Sequence, residues 1–338
     1  MIRARALLVG LGRIGCGYDA HLPFVFDQPR SSVQTLTHAR ALACHPGFVL
    51  VGGVDPNPQA RQRFERLYRV PSYPDLTSWR STCSDAAPEL VVVAVSPQLQ
   101  PSLVMSLLEL ITPRLLLLEK PLACDAEQGQ VLKAACDAHP EMNVAVNYIR
   151  RWLPAVQTWR KRLQAGQLGN FLHGNLTYGK GLLSNGSHFV NLAESWLGPL
   201  KVGCILDRCA NHLDFDREIS LELLATDHRQ SPLLVRSIGA SGLRAGELDL
   251  WFERGRLCWP DHGRTVNFWP RREPAPGDSH APLVVHPELV LTGLDHYQLV
   301  VMEAMHRYLL DPGASPLKCD LSTGLRTLNT LAPAFSDE

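Results

Sequence analysis

The chain carries no excess of either charge: Lys plus Arg and Asp plus Glu each number 33. No overall field therefore draws it to nucleic acid or to an anionic membrane. Its nine cysteines, at 16, 44, 83, 124, 136, 204, 209, 258 and 319, form no C-x-x-C pair and share no spacing. That excludes a zinc ribbon and a disulfide framework and reads as the reduced thiols of a cytoplasmic protein. No stretch approaches the ~20 apolar residues of a spanning helix. The apolar run after Arg5 stops at Gly10, too early for a signal peptide. His21, His38, His45 and His296 lack metal-ligand spacing and are expected on the surface or in loops. There is no internal repeat and no low-complexity segment. A small-molecule partner is what remains.

With 338 residues, 45% of them hydrophobic, the chain has material for two cores. Short apolar runs at 4–9, 48–54, 89–95, 115–118 and 143–146 alternate with helical patterns at 59–68, 100–111 and 126–138. Such alternation predicts a doubly wound parallel sheet with right-handed crossovers. Residues 18–34 interrupt it as an inserted loop before a helix near 36–44. That loop either lies over a ligand entrance or decorates the surface. After Arg150-Arg151-Trp152-Leu153-Pro154 comes a helix to about residue 165. Strands then follow without intervening helices near 171–178, 202–208, 219–225, 233–238, 247–252 and 265–268, which predicts a mostly antiparallel sheet. A polar loop at 270–282 and a helix at 297–310 complete the chain. The expected division is 1–146 and 147–338.

Gly10-Leu11-Gly12-Arg13-Ile14-Gly15 directly follows the first strand, the context that marks a dinucleotide-binding turn. Gly10 permits the tight turn, Gly12 lets a pyrophosphate approach, and Gly15 allows close packing. Asp55 ends the next strand, where a carboxylate accepts hydrogen bonds from both adenosine ribose hydroxyls and repels a 2'-phosphate. NAD is thus favoured over NADP, although Asn57, Arg61 and Arg63 lie close enough to recruit a phosphate. The competing reading is a glycine turn in an unrelated α/β protein with an ordinary capping Asp.

Glu119-Lys120-Pro121 after the fourth apolar run completes a wider pattern. It includes Gly10 to Gly15, Asp55-Pro56, Ser96-Pro97, Asn147, Arg150-Arg151, Pro154 and Gly186-Ser187-His188. In that order and spacing the chain resembles the Gfo/Idh/MocA family, which includes glucose-fructose oxidoreductase and inositol dehydrogenase. The resemblance implies an α/β Rossmann domain followed by an α+β domain with a large, mostly antiparallel open-faced sheet, an active site between them, and a homodimer or homotetramer. It also implies that Ser96, Pro97 and Glu119 line the cofactor, that Asn147 lies near the nicotinamide, and that Lys120 reaches the reacting hydroxyl or carbonyl. His188 matches the family's second catalytic position, D-x-x-x-H. Here the usual Asp is Ser184, and a second common Asp is Asn191.

Losing both carboxylates removes charges that orient and raise an imidazole. Ser184 and Asn185 are then neutral candidates for binding a polyol. Lys180, Arg151 and Trp152, with Arg150, fall near the expected substrate; two cations facing it would select an anionic group, whereas Arg150 and Arg151 equally suit a domain junction. The resulting expectation is hydride transfer between NAD and a secondary alcohol of a sugar, sugar nucleotide or cyclic polyol, with Lys120 and His188 handling the proton. Two alternatives stand beside it: a redox-neutral enzyme that retains its NAD, and a non-catalytic dinucleotide-binding subunit.

Overall fold

The computed structural model describes residues 3–24, 34–83, 87–213, 216–239, 245–274, 276 and 280–336. Residues 25–33 of the expected insertion, and 275 and 277–279 of the expected polar loop, lie outside the described residues. The chain divides into two compact units, Met1–Trp152 with Asp295–Leu325, and Leu153–Leu294 with Arg326–Glu338.

The first unit is built on strands β1 (Ala4–Val9), β2 (Phe48–Val54), β3 (Ser72–Tyr73), β4 (Leu90–Val93), β5 (Leu115–Leu118) and β6 (Asn143–Val146). All pairings are parallel, in the order β3-β2-β1-β4-β5-β6. Every residue of β4 (LVVV) and β5 (LLLL) is buried, as a sheet covered on both faces requires. The order reverses across β1, so the crevice beyond the carboxyl ends of β1 and β4 is the ligand position of such sheets.

Crossover helices α1 (His38–Cys44), α2 (Pro58–Tyr68), α3 (Leu76–Thr82), α4 (Gln100–Leu110) and α5 (Ala126–Asp137) flank the sheet, and α6 (Ile149–Trp152) follows it. Their starts are chemically marked. Thr37, Asn57, Asp75 and Asp125 cap α1, α2, α3 and α5 through their side chains, and Pro58 opens α2.

The second unit begins with α7 (Pro154–Gln164), β7 (Phe171–Tyr178) and α8 (Ser187–Leu197). It continues through β8 (Leu200–Leu213), β9 (Asp216–Ala225), β10 (Ser231–Ser237), β11 (Gly246–Phe252), β12 (Gly255–Trp259), β13 (Thr265–Pro270) and β14 (Glu288–Leu291). These eight strands run in the order β14-β13-β12-β11-β7-β10-β9-β8. Only β7 and β10 pair in parallel; the other pairings are antiparallel. Burial nearly alternates along β9 and β11, so one face is core and the other polar. Helix α8, buried along almost its whole length, supplies apolar cover for the core face.

Two last helices, α9 (Tyr297–Leu310) and α10 (Leu321–Leu331), close the chain. The sequence places residues 295–325 with the second domain, whereas they belong to the first unit. The reason is packing: His45 of the turn after α1 meets Glu303 of α9 at 3.0 Å, His306 packs on Phe48, and Arg114 donates to the Leu309 carbonyl at 2.9 Å. His38 and His45, expected at the surface, are buried; His21 is exposed and His296 half-buried. Among the described residues no helix is long and apolar enough to cross a membrane.

Candidate active site

The glycine turn lies where the strand order reverses. The Gly10 N–H donates to the Val54 carbonyl at 2.8 Å, and Gly10 has φ of +94°. A Cβ on Gly10 would lie 2.4 Å from the Ala94 oxygen, and one on Gly15 would lie 2.0 Å from the Gly10 oxygen. Both are glycines because the fold leaves no room. Gly12 differs: a Cβ there meets nothing within 4 Å, and the residue is exposed beside exposed Arg13, with Ile14 half-buried. Protein packing does not demand glycine at 12, and the turn is open there to the close approach of a ligand.

Asp55 reaches this turn. Its Oδ2 accepts the Leu11 N–H at 2.7 Å and its Oδ1 the Asn57 N–H at 2.8 Å. Arg61 donates to the Asp55 and Pro56 carbonyls at 2.8 and 2.9 Å, and Arg63 donates to the Leu11 carbonyl. The two arginines thus brace backbone around the acid. Beyond β4, the Ser96 carbonyl accepts the N–H groups of Leu99 and Gln100 at 3.1 Å and starts α4; Ser96 is exposed and Pro97 half-buried.

Glu119 follows β5 and is 7% exposed. Its Oε1 accepts from His38 Nε2 and from Asn147 Nδ2, both at 2.7 Å, while Oε2 accepts the Lys120 N–H at 3.2 Å. Burial alone would raise this carboxyl; the His38 hydrogen bond and charge, the Asn147 amide and the Lys120 charge outweigh it and hold it below the usual carboxylate range. An ionised carboxylate only accepts, so His38 Nε2 carries the proton.

From the other side, Gln100 Nε2 donates to the carbonyls of Glu119, Leu122 and Pro121 at 2.8, 3.1 and 3.4 Å. The loop bearing half-buried Lys120 is therefore tied through both backbone and side chain. Asn147 Nδ2 also donates to Gln298 at 3.3 Å, while its buried Oδ1 has no partner among the described residues. This acceptor and the open edge at Gly12 fit a dinucleotide ending in a carboxamide.

Arg150 and Arg151 are buried, and desolvation pushes the Arg150 guanidinium down to about 9, with Tyr297 opposing. Trp152 is buried and donates its indole N–H to the Val146 carbonyl at 3.3 Å, a packing arrangement.

In the second unit, β7 runs into exposed Lys180 and then a helical turn, Leu182–Gly186, that leads into α8. Lys180 and Gly181 both have positive φ, +67° and +77°. Buried Asp216, at the start of β9, accepts the N–H groups of Leu183 and Ser184 at 2.8 and 3.0 Å. A Cβ on Gly181 would lie 2.2 Å from its Oδ2. Ser184 Oγ donates to the Lys180 carbonyl at 2.6 Å, and Asn185 Nδ2 to those of Gly179 and Ala245 at 2.7 and 3.3 Å. Lys180, Ser184 and Asn185 thus share one braced loop, with half-buried His188 in the first turn of α8. Asn191 is 1% exposed and donates to Thr327 Oγ1 at 2.9 Å, so it serves the core.

Sequence reasoning missed His38, Gln100 and Asp216. Gln100 shares a face with buried Val104, Leu107 and Leu108, and His38 with Ala41 and Leu42; a polar residue in an apolar stripe is the signal for a buried hydrogen bond. Asp216 acts across 32 residues and left no local signal. Among the described residues no group of three or more His, Cys, Asp or Glu is placed to hold a metal ion.

Residues 4–148 match the model of the Gfo/Idh/MocA oxidoreductase family, described as having an NAD-binding Rossmann fold. This likeness spans the first domain, somewhat under half of the chain. Solved structures resemble the chain over nearly their whole length. The WlbA dehydrogenase of Bordetella pertussis, in complex with NADH and UDP-GlcNAcA, is 19% identical with a TM-score of 0.71, covering 98% of this chain and 94% of that one. A point variant of KijD10, a 3-ketoreductase from Actinomadura kijaniata in complex with TDP-benzene and NADP, is 16% identical with a TM-score of 0.69, covering 98% and 96%. An Agrobacterium radiobacter oxidoreductase in complex with NAD+, L-tartaric acid and magnesium is 13% identical with a TM-score of 0.68, covering 98% and 97%. At these identities the likeness shows a shared fold. Comparison with curated proteins gives no match.

Proposed function

We infer that the protein catalyses hydride transfer at a secondary alcohol or ketone of a sugar, sugar nucleotide or cyclic polyol, using NAD in preference to NADP. The observation that carries this reading is the Glu119-Lys120-Pro121 loop, tied by His38, Asn147 and Gln100 so that a lysine stands beyond β5. When bound, the dinucleotide supplies the hydride donor or acceptor. Gly12, Arg13, Ser96, Pro97 and Asn147 hold it, and Asp55 takes the adenosine ribose, where its charge disfavours a 2'-phosphate.

Lys120 gives a proton to the substrate oxygen during reduction and helps remove one during oxidation. His188 exchanges that proton with solvent. Lys180, Arg151, Ser184 and Asn185 are the proposed substrate contacts. Support for a nucleotide sugar comes from the WlbA complex with UDP-GlcNAcA and the KijD10 complex with TDP-benzene. The loop at 180–188 holds a neutral Ser184 where the family carries an acid, which suits hydroxyl recognition.

The test is a panel of UDP-GlcNAcA, TDP-glucose, glucose and myo-inositol with NAD or NADP, read by nicotinamide absorbance for the wild-type protein and Lys120→Met. Turnover with one panel member that Lys120→Met abolishes supports the reading. Product formed without net change in nicotinamide would replace it with redox-neutral chemistry, and bound cofactor with no reaction on any member would make this a binding subunit.

A further inference from the structure

The E-K-P loop draws on a histidine that neither the family motif nor the glycine turn includes. His38 is fully buried at the start of α1. A buried imidazole is costly unless bonded, and this one is spent on Glu119 at 2.7 Å. Asn147 reaches the same oxygen, Oε1, at the same distance. Two donors from different elements on one oxygen stop the carboxylate rotating, and its other oxygen accepts the Lys120 N–H at 3.2 Å.

We propose that His38 is a positioning residue: by fixing the Glu119 carboxylate from α1, it keeps that anion beside Lys120 and so sets the proton affinity of the Lys120 amine. This rests on Lys120 having the role given under Proposed function. The charges around Glu119 bear it out. His38 faces it from α1, Lys120 from its own loop and Tyr297 from α9, with Arg150 of α6 acting on Tyr297. Burial would raise the Glu119 carboxyl, and His38 is foremost among the groups that lower it. Without His38 the Glu119 carboxylate loses the donor that holds it from α1 and turns away from Lys120, whose ammonium then deprotonates at lower pH.

The test needs no substrate. Reductive methylation with 13C-formaldehyde labels the lysines at 120, 133, 161, 180, 201 and 318, and the NMR signal absent from Lys120→Met assigns residue 120. The proposal predicts that His38→Leu lowers the titration midpoint of Lys120 by about half a pH unit or more, leaves the other lysines in place, and is reversed in His38→Gln, whose amide can donate to Glu119. Glu119→Gln, which removes the anion directly, should give the same downward shift and serves if His38→Leu does not fold. An unchanged Lys120 midpoint in a folded His38→Leu or Glu119→Gln protein overturns the proposal, as does a shift of all six lysines together. A Lys120→Met protein that still turns over would sink the proposed function while leaving this coupling intact.

Discussion

Asp55 Oδ2 accepts the Leu11 N–H at 2.7 Å, so the acid that ends β2 is bonded to the glycine turn that ends β1. A carboxylate held this way presents fixed negative charge beside the turn. Replacing it (Asp55→Ser) should weaken NAD binding by about tenfold to a hundredfold, the worth of a hydrogen bond to a charged group, and weaken NADP much less. Titrations of both cofactors by intrinsic fluorescence check this. Equal losses for the two would remove Asp55 as the discriminating group.

The three motif glycines should separate cleanly. Gly12→Ala adds a methyl where nothing lies within 4 Å, so its melting temperature should stay near wild type while cofactor affinity falls. Gly15→Ala drives a Cβ to 2.0 Å from the Gly10 oxygen and should lose about 2 kcal/mol or more of stability. Calorimetry with and without NAD distinguishes the two behaviours.

How much of this was legible in the sequence follows from how local each signal is. Strands 4–9, 48–54, 115–118, 143–146 and 171–178 coincide with β1, β2, β5, β6 and β7, because uniform burial or turn-bounded apolar runs are written into adjacent residues. The two-residue β3 carries no comparable run, and the short β14 presents its apolar residues largely to solvent; neither was anticipated, nor was α10. The return of α9 to the first unit depends on His45, Phe48 and Arg114, whose partners lie about two hundred or more residues away. In the same way Gly10, Gly12, Gly15 and Asp55 were proposed from spacing and Lys120 from the family resemblance, whereas His38, Gln100 and Asp216 become meaningful only once folding brings their partners to them.

Asp19 and Arg40 are both fully buried, 3.4 Å apart. Arg40 also donates to the carbonyls of Asp19, Leu22 and Pro23, at 2.8, 2.9 and 3.0 Å, and Asp19 accepts from Thr37 and Leu36. This pair ties the chain leaving the glycine turn to the start of α1. Arg40→Met should cost about 3–5 kcal/mol by leaving a buried carboxylate without its cation, measured by urea unfolding. A loss within experimental error would show that water reaches Asp19.

Glu119 also predicts a pH dependence. Its folded carboxyl lies below the ordinary value of 4.5, so its stabilisation is present in full above that value and is lost as pH falls through the lower folded value. Glu119→Gln should therefore be less stable than wild type at neutral pH by about 1–3 kcal/mol, and the gap should narrow in acid below 4.5. Urea unfolding at pH values on both sides gives the comparison; a gap that widens in acid contradicts the assigned direction.

The most direct test of the central claim is to measure NAD binding and turnover together in Lys120→Met, using whichever of UDP-GlcNAcA, TDP-glucose, glucose and myo-inositol the wild-type protein converts. A proton-handling lysine predicts a fall in kcat of at least about a hundredfold, with the NAD dissociation constant within a factor of about two of wild type. A variant that binds NAD and turns over at the wild-type rate would contradict the account.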